Sequence, residues 1–174
     1  MTDNNKKWYV VLTRTNSERK VRDYFELQKV ETFLPVQHRV IERGGKRIER
    51  ECLLLPRMAF VHIVPSDIAA VRNTMNVYDF LRNRSTNAPT CIPDEQMANF
   101  RYMLDYSKDQ VIITGEEISE GTPVVVAKGN LQGLRGELVR YNNKYHILVR
   151  IDMFGSALVT IPASYVRKDS SKDI

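Results

Sequence analysis

The residues best able to do chemistry in this chain of 174 are three histidines, two cysteines and a short run of glycines. His38, His62 and His146 lie far apart, outside any HExxH spacing and away from Ser or Cys nucleophile motifs, so each reads as a strand residue. Cys52 and Cys91 stand alone without a CxxC, which excludes a Cys-rich zinc site or disulfide scaffold and reads as two buried thiols in a reducing compartment. Gly129, Gly133 and Gly136 follow a strand and suggest a phosphate cradle, but no Gly-Lys-Ser/Thr ending and no helix comes after them. Their expected role is a tight corner or a close backbone approach. The acidic residues scatter over helices and loops as solvated charges. The chain therefore reads as a non-enzyme, with no catalytic residue, metal or cofactor.

The surrounding elements read clearly. Trp8 to Thr13 is a β-branched and aromatic strand, and Thr15-x-x-Glu18 is a capping box that starts a helix to about Lys29, with Val21, Tyr24, Phe25 and Gln28 on one face. Phe33 to Ile41 and Lys46 to Leu55 flank Gly44-Gly45 as a hairpin arm carrying Arg39, Arg43, Lys46, Arg47 and Arg50. After Pro56 come a strand from Met58 to Val64, a short helix capped by Pro65-Ser66-Asp67, and a strand from Val77 to Leu81. Pro93-Asp94-Glu95 opens a helix to about Tyr106 whose Met97, Phe100, Met103 and Leu104 form a core stripe. Period is lost from Ser107 to Glu120, the expected boundary. Short strands follow: Thr122 to Ala127, Gly136 to Tyr141, Lys144 to Ile151 and Ala157 to Ile161, suggesting a small closed barrel.

Composition agrees with a folded, water-exposed chain: 43% hydrophobic, 27% charged and a net charge of +5. That excess sits in residues 1 to 50, with 12 basic and 7 acidic side chains, against 6 and 7 in residues 51 to 110 and 8 and 7 thereafter. A basic region on a balanced chain suits a phosphate-meeting surface, and equally a solubility device. No apolar run approaches the roughly 20 residues of a membrane span, and Met1 to Lys7 has no apolar stretch behind it, so the expected location is the cytoplasm.

The stretch from Val124 to Leu138, VVVAKGNLQGLRGEL, resembles a KOW motif, and Met153-Phe154-Gly155 resembles that family's Phe-Gly turn. Trp8-Tyr9-Val10-Val11, the GG hairpin and Leu55-Pro56-Arg57-Met58-Ala59-Phe60-Val61 are similar to the NGN domain of NusG/RfaH-family transcription elongation factors. The implied fold is α+β: an NGN domain over 1–106, an antiparallel sheet flanked by helices, a linker over 107–120, and a small all-β KOW barrel with a short tail over 121–174. Glu31 to Pro35 and Ile92 to Met97 look most like the specialised UpxY-type antiterminator paralogues of capsular polysaccharide loci. Pro56-Arg57-Met58 departs from the Pro-Gly-aromatic usual in NusG, and Ser156 from the Arg common after the Phe-Gly turn.

The resemblance implies a regulator that binds the clamp helices of RNA polymerase and suppresses pausing and termination on selected operons. The matching polymerase-contact positions are Leu12, Leu55, Met58, Phe60 and Phe80, with Phe60 equally readable as core. Arg14, Arg19, Lys20 and Arg22 match the region turned to upstream or non-template DNA, and Phe154 the surface offered to a ribosomal protein or termination factor. A monomer with no membrane partner is expected. A housekeeping NusG and a KOW-type RNA- or ribosome-binding protein are the alternatives. Residues 122 to 161, rich in Val, Ile and Tyr, favour strand over any stable helical alternative.

Overall fold

The continuous apolar run from Trp8 to Leu12, buried at Trp8, Tyr9, Val10 and Val11, makes the first strand the axis of the amino-terminal sheet, covered on both faces. The computed structural model describes residues 5–172; Met1 to Asn4 of the leader reading and the tail residues Asp173 and Ile174 lie outside them. The chain divides into two compact units, one up to Asp94 and one from Glu95 onward.

In the first unit, β1 (Lys7–Thr13) pairs antiparallel with β5 (Met58–Ile63) on one side, and with β6 (Val77–Phe80) and β7 (Cys91–Ile92) on the other. β2 (Glu31–Phe33) extends the sheet beyond β5. Helices α1 (Glu18–Leu27) and α2 (Ile68–Arg72) add Val21, Phe25 and Val71 to a core with Tyr9, Val11, Ala59, Val61, Ile63, Val77 and Phe80. Among the described residues β3 (Val36–Arg43) and β4 (Lys46–Leu53) pair only with each other, around a turn in which Gly44 and Gly45 take φ of 59° and 74°. This is the expected two-residue hairpin, since both positions need the left-handed region.

The second unit holds nearly all of α3 (Asp94–Tyr106) and the strands β8 (Ile112–Thr114), β9 (Thr122–Val126), β10 (Arg135–Tyr141), β11 (Lys144–Ile151), β12 (Gly155–Thr160) and β13 (Val166–Lys168). Met97, Phe100, Met103 and Leu104 of α3 are buried, as the apolar stripe requires. Two α3 side chains bond within this unit: Tyr102 OH donates to the Gln132 carbonyl at 2.7 Å, and Gln96 Oε1 accepts the Asp152 N–H at 2.8 Å. The strand order is β13-β9-β10-β11-β12-β8. The expected closed barrel is not found: among the described residues no pairing joins β13 to β8, and the sheet ends in two strands of three residues each. Residues 122 to 161 are strand-rich as expected.

The span read as a linker carries β8, which pairs with β12. Its end is tied down as well. Arg150 donates to both Glu137 carboxylate oxygens at 2.7 and 2.8 Å and to the Ile118 carbonyl at 3.1 Å, while Glu137 accepts the Gly121 N–H at 2.8 Å. The glycine run does what close backbone approach demands. A Cβ on Gly136 would sit 2.5 Å from the Leu148 carbonyl oxygen, and Gly129 and Gly133 take φ of 84° and 93°. Among the described residues no helix is long and apolar enough to cross a membrane.

Candidate functional site

Leu12 and Met58 stand directly opposite each other in the β1–β5 ladder. Their neighbours Val11 and Ala59 point into the helix-covered core, so strand alternation sends this pair to the other face of the sheet. Both are half-buried, as is Leu55 in the bend feeding β5.

That bend is held from two directions. Arg57 donates its N–H to Glu18 Oε1 at 2.7 Å, and its carbonyl accepts the Thr13 N–H at 2.8 Å. Arg57 has φ of 64°, the left-handed conformation that glycine adopts most easily, at the position where Pro-Gly-aromatic would place its glycine. The expected Thr15/Glu18 capping box does not form. Ser17 is the N-cap, without a side-chain capping bond, because Glu18 is buried and spends its carboxylate on Arg57.

On the other flank of β1, Leu12 faces Asp79, whose carboxylate accepts from Arg82 at 3.1 and 3.2 Å and from the Phe80 N–H at 2.8 Å. The Arg82 hydrogen bond, with the smaller help of the Phe80 amide, holds the Asp79 carboxyl below its ordinary value against a partial desolvation. The register shifts between Leu12 and Thr13, leaving Tyr78 as the extra residue, 68% exposed. Tyr78 is an exposed aromatic beside the Leu12 flank that periodicity does not reveal, because the bulge interrupts it.

Two of the expected contact residues are buried, Phe60 on the same face as Met58 and Phe80 on the opposite one. Phe60 is 0% exposed and packs its ring 5.8 Å from that of Phe33; Phe80 is 1% exposed, edge-on to Tyr9 at 6.0 Å, in the core covered by α1 and α2. Neither presents an accessible surface. Phe80 falls on the inner face because its partner is Val11, not Leu12.

The four expected cations are not alike. Arg14 and Lys20 are exposed, and among the described residues no carboxylate pairs with either. Arg19 pairs with Glu51 of β4 at 2.9 Å, and Arg22 with Asp23 at 2.9 Å. Phe154 is half-buried in the turn after β11, where Gly155 takes φ of 107° and a Cβ there would run into the Thr114 carbonyl oxygen. Ser156 is buried in the β12–β8 pair.

The histidines are strand residues, on β3, β5 and β11; His62 stacks on Trp8 with ring centroids 4.8 Å apart and bonds Glu31 at 2.8 Å. The cysteines correct the reading of two buried thiols. Cys52 is half-buried and Cys91 exposed, both on strands that border the sheet or arm, where alternate side chains face solvent. Among the described residues no group of three or more His, Cys, Asp or Glu could hold a metal ion.

No curated protein matches the chain by sequence. A solved structure of Thermotoga maritima NusG, described as showing domain interaction, is 20% identical, with 94% of this chain and 97% of that chain covered and a TM-score of 0.50. The MjSpt4:Spt5 complex in its conformation A is 15% identical over 93% of this chain and 97% of that one, at a TM-score of 0.30. The family model described as "Transcription termination factor nusG" matches residues 6–101, more than half of the chain, from β1 through most of α3. This chain belongs to the NusG family of transcription factors.

Proposed function

We propose that this chain is a transcription elongation and antitermination regulator that binds RNA polymerase through the sheet face carrying Leu12, Met58 and Leu55. The observation that supports this reading most is the Leu12–Met58 pair: two large apolar side chains opposite each other and half-accessible at the end of a sheet face whose next pair, Val10 and Phe60, is buried. Apolar surface grouped in this way marks a partner site. Its occupant is the clamp helices of the largest polymerase subunits. Arg14 and Lys20, with Arg19 and Arg22 when released from their ion pairs, approach upstream or non-template DNA. Phe154 offers the second unit, read as a KOW domain, to a ribosomal protein or termination factor. The factor works as a monomer in the cytoplasm, by binding alone, and suppresses pausing and termination on selected operons of the capsular polysaccharide type.

The test is retention of purified core RNA polymerase by the immobilised chain. Wild type retains it, and Leu12→Asp weakens retention at least tenfold while remaining folded, since burying one such side chain is worth roughly 1.5 to 3 kcal/mol. Equal retention by the folded variant would remove this site. Retention of ribosomal RNA with no polymerase would replace the reading with that of a KOW-type RNA- or ribosome-binding protein.

A further inference from the structure

The β3–β4 arm sorts its charges by face. In its register Arg39 stands opposite Arg50, Ile41 opposite Ile48, and Arg43 opposite Lys46. Side chains alternate along a strand, so these three pairs share one face, with four cations and no carboxylate on it. The arm's acids, Glu42, Glu49 and Glu51, fall on the other face, where Glu51 pairs with Arg19 at 2.9 Å and Glu49 lies 3.9 Å from His38. A surface charged for solubility intersperses the two signs. Here like charges are stacked directly across the ladder, an arrangement that destabilises a sheet unless an anion lies against it.

The cations are available. Arg43, Lys46 and Arg50 are exposed, and among the described residues none of the four has an ion-pair partner. Arg39 is half-buried, and its Nε is enclosed without a hydrogen-bond partner. Among the described residues the arm pairs with no other strand, and its root, Val36 and Leu53, packs on the core.

We infer that this basic face of the hairpin arm is a docking surface for duplex DNA. The B-DNA major groove, about 12 Å wide, admits a two-stranded ribbon lengthwise, and the two cation pairs lie four residues apart, roughly 13 Å along it. Arg39 and Arg43 on one strand then reach one phosphate wall, Arg50 and Lys46 on the other strand the opposite wall, while Ile41 and Ile48 face the base edges, where the thymine methyl offers an apolar contact. Single strands are held by stacking on aromatic side chains, and the arm has no Phe, Tyr or Trp between Val36 and Leu53. A-form RNA closes its major groove to such a ribbon. This surface is separate from the Leu12–Met58 face, and duplex binding by it needs no polymerase.

The experiment is fluorescence anisotropy of the full chain with a labelled mixed-sequence DNA duplex, its single strand and the matching RNA duplex, over a range of salt and without polymerase. Wild type should bind the DNA duplex most tightly. Arg39→Gln/Arg50→Gln and Arg43→Gln/Lys46→Gln should each make the salt slope shallower by about two counterions. Arg47→Gln removes the same charge as Arg43→Gln from the same end of the ribbon, but on the opposite face. It should leave the slope unchanged where Arg43→Gln lowers it by about one. If a double variant unfolds, the single changes Arg43→Gln and Lys46→Gln, at exposed positions beside the turn, carry the comparison. Unchanged slopes for the basic-face variants, an equal effect of Arg47→Gln, or tighter binding of single strand or RNA duplex would overturn the inference.

Discussion

Glu18, at the start of α1, accepts a hydrogen bond from the backbone N–H of Arg57 at 2.7 Å. The bond crosses from the helix to the bend that launches β5, and the same bend returns its carbonyl to Thr13. It thereby sets where Met58 begins its pairing opposite Leu12.

Glu18→Ala should therefore destabilise the protein by about 1 kcal/mol, the loss of a part-buried hydrogen bond to a charged acceptor. Arg57→Gly should act in the opposite direction by roughly 0.5 to 1 kcal/mol, because relief of the left-handed strain outweighs glycine's extra freedom in the unfolded chain. Denaturant melts of the two variants check both signs, and a stabilised Glu18→Ala protein would show that the bond contributes nothing.

Leu12 and Phe80 are neighbours in the sheet fold but should behave as opposites. Phe80→Ala removes a 1% exposed ring from the core and should cost about 3 to 5 kcal/mol. Leu12→Asp, at a half-accessible position, should keep the fold and lose only partner binding. Circular dichroism and thermal melts separate the two, and a Phe80→Ala protein as stable as wild type would contradict the packing described.

Gly136→Ala places a methyl group 2.5 Å from the Leu148 carbonyl oxygen in the neighbouring strand. The β10–β11 pair must open to admit it, at a cost on the order of 1 to 3 kcal/mol. A change at Gly45, where nothing lies within 4 Å, should disturb only the turn's φ. Equal melting temperatures for Gly136→Ala and wild type would argue against the close strand approach.

Asp79 ties pH to the same sheet. Its folded-state pKa lies below the ordinary 3.8, first through the Arg82 hydrogen bond. A depressed carboxylate contributes stability that is fully present above the unfolded value and is lost as pH falls through the folded one. Stability should thus decline as pH drops below about 4, and Asp79→Asn should flatten that part of the acid limb. Denaturant midpoints for both proteins across this range provide the check, and parallel acid limbs would remove the Asp79 contribution.

Local pattern alone determined the long elements: β1, α1, β5, α3 and the four principal strands of the second unit follow from apolar period, and the Gly44-Gly45 turn from the need for two positive φ values. It also identified Gly136 as a close-approach glycine and Leu12 and Met58 as apolar strand positions. Strands β2, β7, β8 and β13 escaped it, because two or three residues cannot display a period and pair only once a partner edge exists. What the tertiary structure decided was direction. A bulge opposite Leu12 and Thr13 put Phe80 inside and Tyr78 outside, and a contact 39 residues away in sequence drew Glu18 from its cap to Arg57. The register of β3 with β4 divided a mixed run of charges into a basic face and an acidic one. Sequence carries the identity and spacing of these side chains; which face each one joins depends on cross-strand register and on which neighbours cover it, and those exist only after the chain has folded.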